Sequence, residues 1–182
     1  MSRACKIHNP KGLYFISFAT VAWVDVFTRI EYKEIIIDSL KFCQKEKGLK
    51  VYAWCLMTNH IHMIAQARDG FNLSGILRDF KKFTSRQIIK MIENHSVESR
   101  QKWMLAKFKH AGEYNSNNEE YQFWQQNNKP IELWSASVIE QKLNYIHMNP
   151  VKAGFVSRPE EYLYSSARSF NDEHGLIALD PL

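Results

Sequence analysis

The sequence predicts an α+β fold, a ferredoxin-like (split βαβ) antiparallel sheet covered by helices, with an extra helix toward the C-terminus. Three observations predict it. Predicted elements run strand, helix, strand, strand, helix, strand, helix. Two strands are separated only by Thr58-Asn59, too short for anything but a tight turn, so they form an antiparallel hairpin. The intervening segments repeat apolar residues at helical rather than alternating spacing.

Each element has its own signal. Asn9-Pro-Lys-Gly12 is turn-like, and Leu13–Val21 is aromatic and β-branched, a first strand. Thr28–Lys47 carries an apolar stripe of Ile30, Ile35, Ile36, Leu40 and Phe42/Cys43, stopped by Gly48. Lys50–Met57 and His60–Ala67 are the hairpin strands. Arg68-Asp-Gly70 is a turn. Asn72 or Ser74 can cap a long helix over Leu73–Glu93, with a stripe of Ile76, Leu77, Phe80, Phe83, Ile88 and Met91. Glu113–Asn118 is polar and loop-like. Tyr121–Gln126 reads as a fourth strand or a helical turn, broken by Pro130. Ser135 or Ser137 caps a last long helix with core positions Ile139, Leu143 and Ile146, ended by Pro150. From Arg158 the chain is irregular, with one short helix over Pro159–Ala167. One domain is expected over residues 1–168, followed by a tail, 169–182.

Bulk composition narrows the class. The 182 residues are 45% hydrophobic, enough for a core, and carry a net charge of +5. The excess is local. Asn72 to His110 holds nine Lys/Arg against three acids, a net +6, while the remainder is −1. That distribution fits a polyanionic partner. Cys5, Cys43 and Cys55 are too few and too scattered for a disulfide framework or a zinc ribbon. No apolar run reaches the roughly 20 residues of a membrane span. The N-terminus lacks the apolar centre of a signal peptide. A cytoplasmic protein with no membrane partner is expected.

Four groups of residues could carry chemistry. Strand residues two apart share a face, so His60 and His62 can both reach one metal ion. Neutral imidazole is a good ligand, and two histidines leave coordination positions open. Taken alone, the pair fits core or solvent histidines equally well. Tyr145 and Asn149, four apart, share a helical face. An unperturbed phenol, with a pKa of about 10, needs a metal, base or cation to attack anything. Alone, Tyr145 also fits an amphipathic helix flank, and Asn149 a helix end before Pro150. Arg78, Lys82, Arg86 and Lys90 recur every four residues on the side of the long helix away from its apolar stripe. They fit a solvated surface or a phosphate-tracking one, and Trp103, Phe108, Tyr114, Tyr121, Phe123 and Trp124 could stack bases nearby.

Two stretches together resemble a known family. Ala53-Trp-Cys-Leu-Met-Thr-Asn-His-Ile-His-Met-Ile64 resembles the histidine–hydrophobic–histidine motif of single-tyrosine HUH transposases. Tyr145-Ile-His-Met-Asn-Pro-Val-Lys-Ala-Gly154, followed by Pro159-Glu-Glu-Tyr-Leu-Tyr-Ser-Ser166, resembles the C-terminal signature of REP-associated tyrosine transposases and their insertion-sequence relatives. The likeness runs from about Leu13 to Arg168. It implies binding of single-stranded or hairpin DNA, and cleavage and rejoining through a 5′-phosphotyrosine. It makes Tyr145 the nucleophile, its helix the catalytic helix, and His60 and His62 ligands of a divalent metal, Mg or Mn. In the insertion-sequence branch the third ligand is a glutamine one turn after the tyrosine; here that position is the shorter Asn149. Arg78, Lys82, Arg86 and Lys152 are candidates for gripping the DNA backbone. Insertion-sequence relatives are homodimers and REP-associated ones can act alone, so both states stay open. Two other classes fit the same residues: a non-catalytic nucleic-acid-binding module, and a metal-dependent phosphodiesterase that uses water.

Overall fold

The computed structural model describes residues 7–113, 120–126, 128, 130–171 and 174–182. Its four strands are β1 (Tyr14–Ala19), β2 (Leu49–Leu56), β3 (His60–Ala67) and β4 (Ile131–Glu132). The helices are α1 (Ile30–Glu46), α2 (Leu73–Asn94), α3 (Gln101–Glu113) and α4 (Ala136–Lys152). The sheet order is β2-β3-β1-β4, and every pairing is antiparallel. The α+β, ferredoxin-like reading is thus correct.

The β2–β3 turn closes through Met57 N donating to His60 O at 2.8 Å. Two further bonds hold it from outside: Phe27 N to Thr58 O and Thr20 N to Asn59 O. Side chains that alternate along β1 and β3 divide between two cores. Ile16, Phe18, Ile61, Met63 and Ala65 join Ile36, Leu40, Ile76, Leu77 and Phe80 of α1 and α2. Phe15 and Ile64 join Ala53, Cys55 and Ile146 on the opposite face, under α4. The bulge between Val51 and Ala53 turns both Tyr52 and Ala53 toward that second face.

Helix ends follow their local chemistry. The Asn72 side chain accepts from Gly75 N, and Ser135 from Val138 N, each satisfying an otherwise unpaired amide. Gly48, at φ +69°, stops α1 in the left-handed region that glycine tolerates.

Several expectations need correction. Pro150 does not end α4, which continues to Lys152. A proline in the last turn removes only the bond to Ile146 O. The helix closes instead around Gly154 (φ +76°), with Phe155 N donating to Pro150 O and Gly154 N to Val151 O. Asn149 therefore stays helical. The fourth strand is Ile131–Glu132, beyond Pro130, and not Tyr121–Gln126. That earlier segment makes a single bridge, Trp124 to Thr20. Helix α3 has no counterpart in the sequence reading. Ile30, Phe42 and Phe83, expected in helix stripes, are exposed, and Tyr32, Ile37, Ile89 and Ile92 are buried in their place. The tail holds two 3-10 turns, Pro159–Glu161 and Ser166–Asn171, rather than one short helix. Ile177, beyond them, is buried in the main core. Cys43 and Cys55 are buried, as expected, and desolvation pushes their thiols up to about 11 and about 12. Cys5, Tyr114 and the polar stretch after Glu113 lie outside the described residues. No helix among the described residues is long and apolar enough to cross a membrane.

The loop before α1 is tied to the segment before α3 by a buried acid. Glu98 binds Arg29 Nε at 2.8 Å and Arg100 Nε at 3.1 Å. Burial alone would raise this carboxyl, but the hydrogen bonds from Arg100 and Arg29 outweigh it and hold it down at about 2. Its contribution is therefore complete above about pH 4.5 and is lost as pH falls toward about 2. Acid unfolding followed by circular dichroism should show that loss in the parent and a shallower one in Glu98→Gln, already weakened at neutral pH. Ile146, on the side of α4 that meets the sheet, is fully buried. Ile146→Ala is expected to cost about 2–5 kcal/mol in urea unfolding.

Candidate functional site

The parity of β3 decides where the histidines point. Ile61 and Met63 face the main core, so His60 and His62 face the other side, where α4 lies across β2 and β3. Their neighbours in register are Ala19 and Ser17 on β1 and, for His62, Cys55 on β2, all small residues that leave room above the sheet. The two imidazole centroids are 4.7 Å apart. Phe15, two residues before Ser17 on the same face, stacks on His62 at 5.3 Å.

Helix α4 brings Tyr145 to this pair. Ile146 buries one side of the helix, leaving Tyr145 on its flank, 40% exposed. The Tyr145 hydroxyl lies 3.5 Å from His62 Nε2, at the long limit of a hydrogen bond. The Tyr145 and His62 rings meet edge to face, 5.1 Å between centroids. One turn on, the Asn149 side chain lies close enough to the His60 ring to favour its charged form. The four side chains named from sequence thus gather at one place.

The C-terminal signature fixes α4 there. Ser166 Oγ accepts from Trp54 N and donates to Trp54 O, and Leu56 N donates to Tyr164 O, so the segment docks on the free edge of β2. Tyr162 donates its hydroxyl to Leu56 O at 3.0 Å. His147, on α4, meets Ser166 Oγ at 2.9 Å. Burial pushes His147 down to about 4, so it joins helix and tail as a neutral ring.

Electrostatics keep the histidine pair neutral. Burial lowers His60, opposed by the nearby Asn149 side chain and Asp25. Burial, the neighbouring His60 and the Lys142 cation together push His62 down to about 3. His62 Nδ1 is buried without a hydrogen-bond partner. Neutral rings, one with an unpartnered nitrogen, are the form a metal ligand needs. Among the described residues no three His, Cys, Asp or Glu side chains gather as a metal cluster. A metal here would depend on two imidazoles completed by an amide, a phenol or substrate oxygen, a donor set that fits a hard or borderline divalent ion.

Some neighbours were not visible in the sequence. Lys142 Nζ stands 4.9 Å from the Phe15 ring and 5.8 Å from the Tyr145 ring. Its spacing, one turn before Tyr145, was the available signal. Phe15, Asp25 and Trp23 also border the histidines through contacts distant in sequence, and Asn59 does so as the residue just before His60.

The cationic candidates divide. Arg78, Lys82, Arg86 and Lys90 form an exposed row on α2. Lys82 and Arg86 line a cleft of about 580 Å³ between α2 and the 120–126 segment, with Lys81, Tyr121 and Gln126. Arg78 lies outside that cleft and pairs with Asp79 at 2.9 Å. Lys152 is exposed in the last turn of α4.

Comparison with known proteins sets this geometry in context. The chain superposes on the solved structure of a REP-associated tyrosine transposase bound to a REP hairpin, with a TM-score of 0.66 and 16% identity. The match covers 100% of this chain and 94% of that one. At that identity the likeness establishes the fold. A structure described as a transposase from Deinococcus radiodurans R1 is more distant, with a TM-score of 0.44, 17% identity, and coverage of 80% and 95%. No curated protein matches the chain. The family model for IS200-like transposases matches residues 14–115, which include both histidines and end before Tyr145. Because that match spans more than half of the sequence, the chain belongs to the IS200-like transposase family, a family of DNA-processing enzymes.

Proposed function

We propose that this chain binds hairpin-forming single-stranded DNA and cleaves and rejoins it through a 5′-phosphotyrosine intermediate on Tyr145. The observation that carries the reading is the approach of the Tyr145 hydroxyl to His62, 3.5 Å, inside a group completed by His60 and Asn149. The bound partner of the similar REP-associated transposase, a REP hairpin, supports the choice of DNA.

In this reading Tyr145 Oη attacks the scissile phosphorus. The bond to the 3′ oxygen breaks; the phenol gives up its proton to solvent, and the departing oxygen takes one from solvent to become a free 3′-hydroxyl. The phosphorus stays on the tyrosine with the 5′ end attached. A second 3′-hydroxyl then attacks the phosphotyrosine and releases the phenol, so the strand is resealed without an external energy source. His60, His62 and Asn149 would hold a Mg or Mn ion, which, when bound, offsets the charge growing on the phosphate oxygens. His62 is too weak a base, at about 3, to keep the phenol proton at neutral pH. Its Nε2 faces the Tyr145 hydroxyl at 3.5 Å, which sets the phenol beside the proposed metal site. Lys142 adds positive charge next to the attacking ring. Phe15, wedged against both rings, limits their rotation. Lys82 and Arg86, with Arg78 and Lys152, grip the phosphate backbone away from the reacting atoms.

Labelled hairpin DNA from the element's own flanks, incubated with protein and Mn, tests the reading on a denaturing gel. A metal-dependent covalent adduct is expected, lost in Tyr145→Phe while hairpin binding persists. Cut but unattached DNA would point to hydrolysis by water, and binding without cutting to a DNA-binding module. Binding should weaken as salt rises, and Lys82→Ala/Arg86→Ala together should reduce the slope of log affinity against log salt by about 1–2. An unchanged slope would remove these two residues from the DNA contact.

A further inference from the structure

The segment before α1 contains two consecutive non-glycine residues in the left-handed region, Ala22 at φ 52° and Trp23 at φ 54°. Such backbone is uncommon and gathers where surrounding structure imposes it. Here it brings two acceptors to the β2–β3 turn. Asn59 Nδ2 donates to Asp25 Oδ1 at 3.0 Å and to Trp23 O at 3.3 Å. Thr58 Oγ1 donates to the same carboxylate oxygen at 2.6 Å. Arg100 Nη1 donates to Asp25 O at 2.7 Å, so the buried Glu98 network holds the loop from behind. The Trp23 ring meets His60 edge-on at 5.8 Å.

The donors and acceptors fix one another in sequence. A carboxylate and a carbonyl can only accept, so the Asn59 amide must turn its NH2 toward them. Its Oδ1 is then the atom left facing His60 Nδ1, at 2.7 Å. An amide oxygen can only accept, so the ring nitrogen facing it must carry the hydrogen. A neutral imidazole has one N–H, so Nε2 keeps its lone pair, and Asn149, the other polar side chain beside the ring, can meet that lone pair only through its NH2.

We propose that Asp25 and Asn59 are positioning residues, which lock the neutral His60 ring as its Nδ1–H tautomer and keep Nε2 available as a donor. An outer partner on the second nitrogen is how ligating histidines are generally oriented. The use of that lone pair for a metal rests on the function proposed above; the tautomer itself does not. The strained Ala22-Trp23 backbone gains a purpose on this account, because it carries one acceptor and leads into the other.

The test is a long-range 1H–15N correlation spectrum of the histidine rings in metal-free, 15N-histidine-labelled protein, with His60 assigned by its loss in His60→Gln. The parent is expected to show His60 protonated at Nδ1. Asn59→Ala and Asp25→Ala are each expected to move proton occupancy toward Nε2 while the amide spectrum stays folded. Mn affinity, measured by calorimetry, should fall about 10- to 100-fold in each. A parent His60 protonated at Nε2, or an unchanged Nδ1–H tautomer in both folded variants, would overturn the proposal. The expected tautomers in a parent that takes up no Mn would uphold the positioning role and overturn the metal reading alone.

Discussion

The docking of α4 on the second face of the sheet is the constraint on which the rest of the structure depends. A four-stranded sheet with α1 and α2 on one side still has an open face. Here Phe15, Ala53, Cys55 and Ile64 make that face apolar, and Ile146 covers it. Burying an isoleucine of this kind contributes roughly 1.5–3 kcal/mol. The same contact sets the rotation of the helix, and so carries Tyr145 to His62 and Asn149 to His60. Stability and site assembly therefore share one interface. The tail reinforces it: Tyr162, Tyr164 and Ser166 use polar groups along β2 that an uncovered edge would expose.

The two faces do different work. The α1/α2 face is closely packed and carries no titratable group of the candidate site. The α4 face is thinner, and places two neutral histidines between a phenol and small strand residues. Desolvation has a chemical consequence there. It holds both rings uncharged, the state in which imidazole binds a metal, and it leaves His62 a poor base. Lys142 puts positive charge beside the rings, while the cations of α2 belong to the opposite side of the sheet. That arrangement suits a polyanion that must reach the histidines without first meeting a fixed imidazolium.

The parts readable in the sequence were those governed by local periodicity. A two-residue period put His60 and His62 on one face of β3, and a four-residue spacing put Tyr145 and Asn149 on one face of α4. Strand β3 begins and ends where the sequence placed it. Pro150 misled because its steric rule is local, whereas the closure around Gly154 lies four residues on. Strand β4 was unreadable because two residues have no period; pairing with Tyr14 and Phe15 creates it. Helix α3 buries only Met104, Phe108 and Gly112 and exposes Trp103, too weak a stripe to detect. Phe15, Asp25, Asn59 and Lys142 reach the site through tertiary contacts or a neighbour's orientation. A spacing of one helical turn from Tyr145 could have selected Lys142; no spacing rule would have selected the other three.

The most direct measurement is the identity of the atom that holds the DNA. Protein trapped on a cleaved hairpin would be digested with protease and nuclease, and the modified peptide sequenced by mass spectrometry. The account predicts a nucleotide joined through its 5′ phosphate to Tyr145 and to no other residue. A nucleotide on any other side chain, or cleaved DNA with no modified peptide, would contradict it.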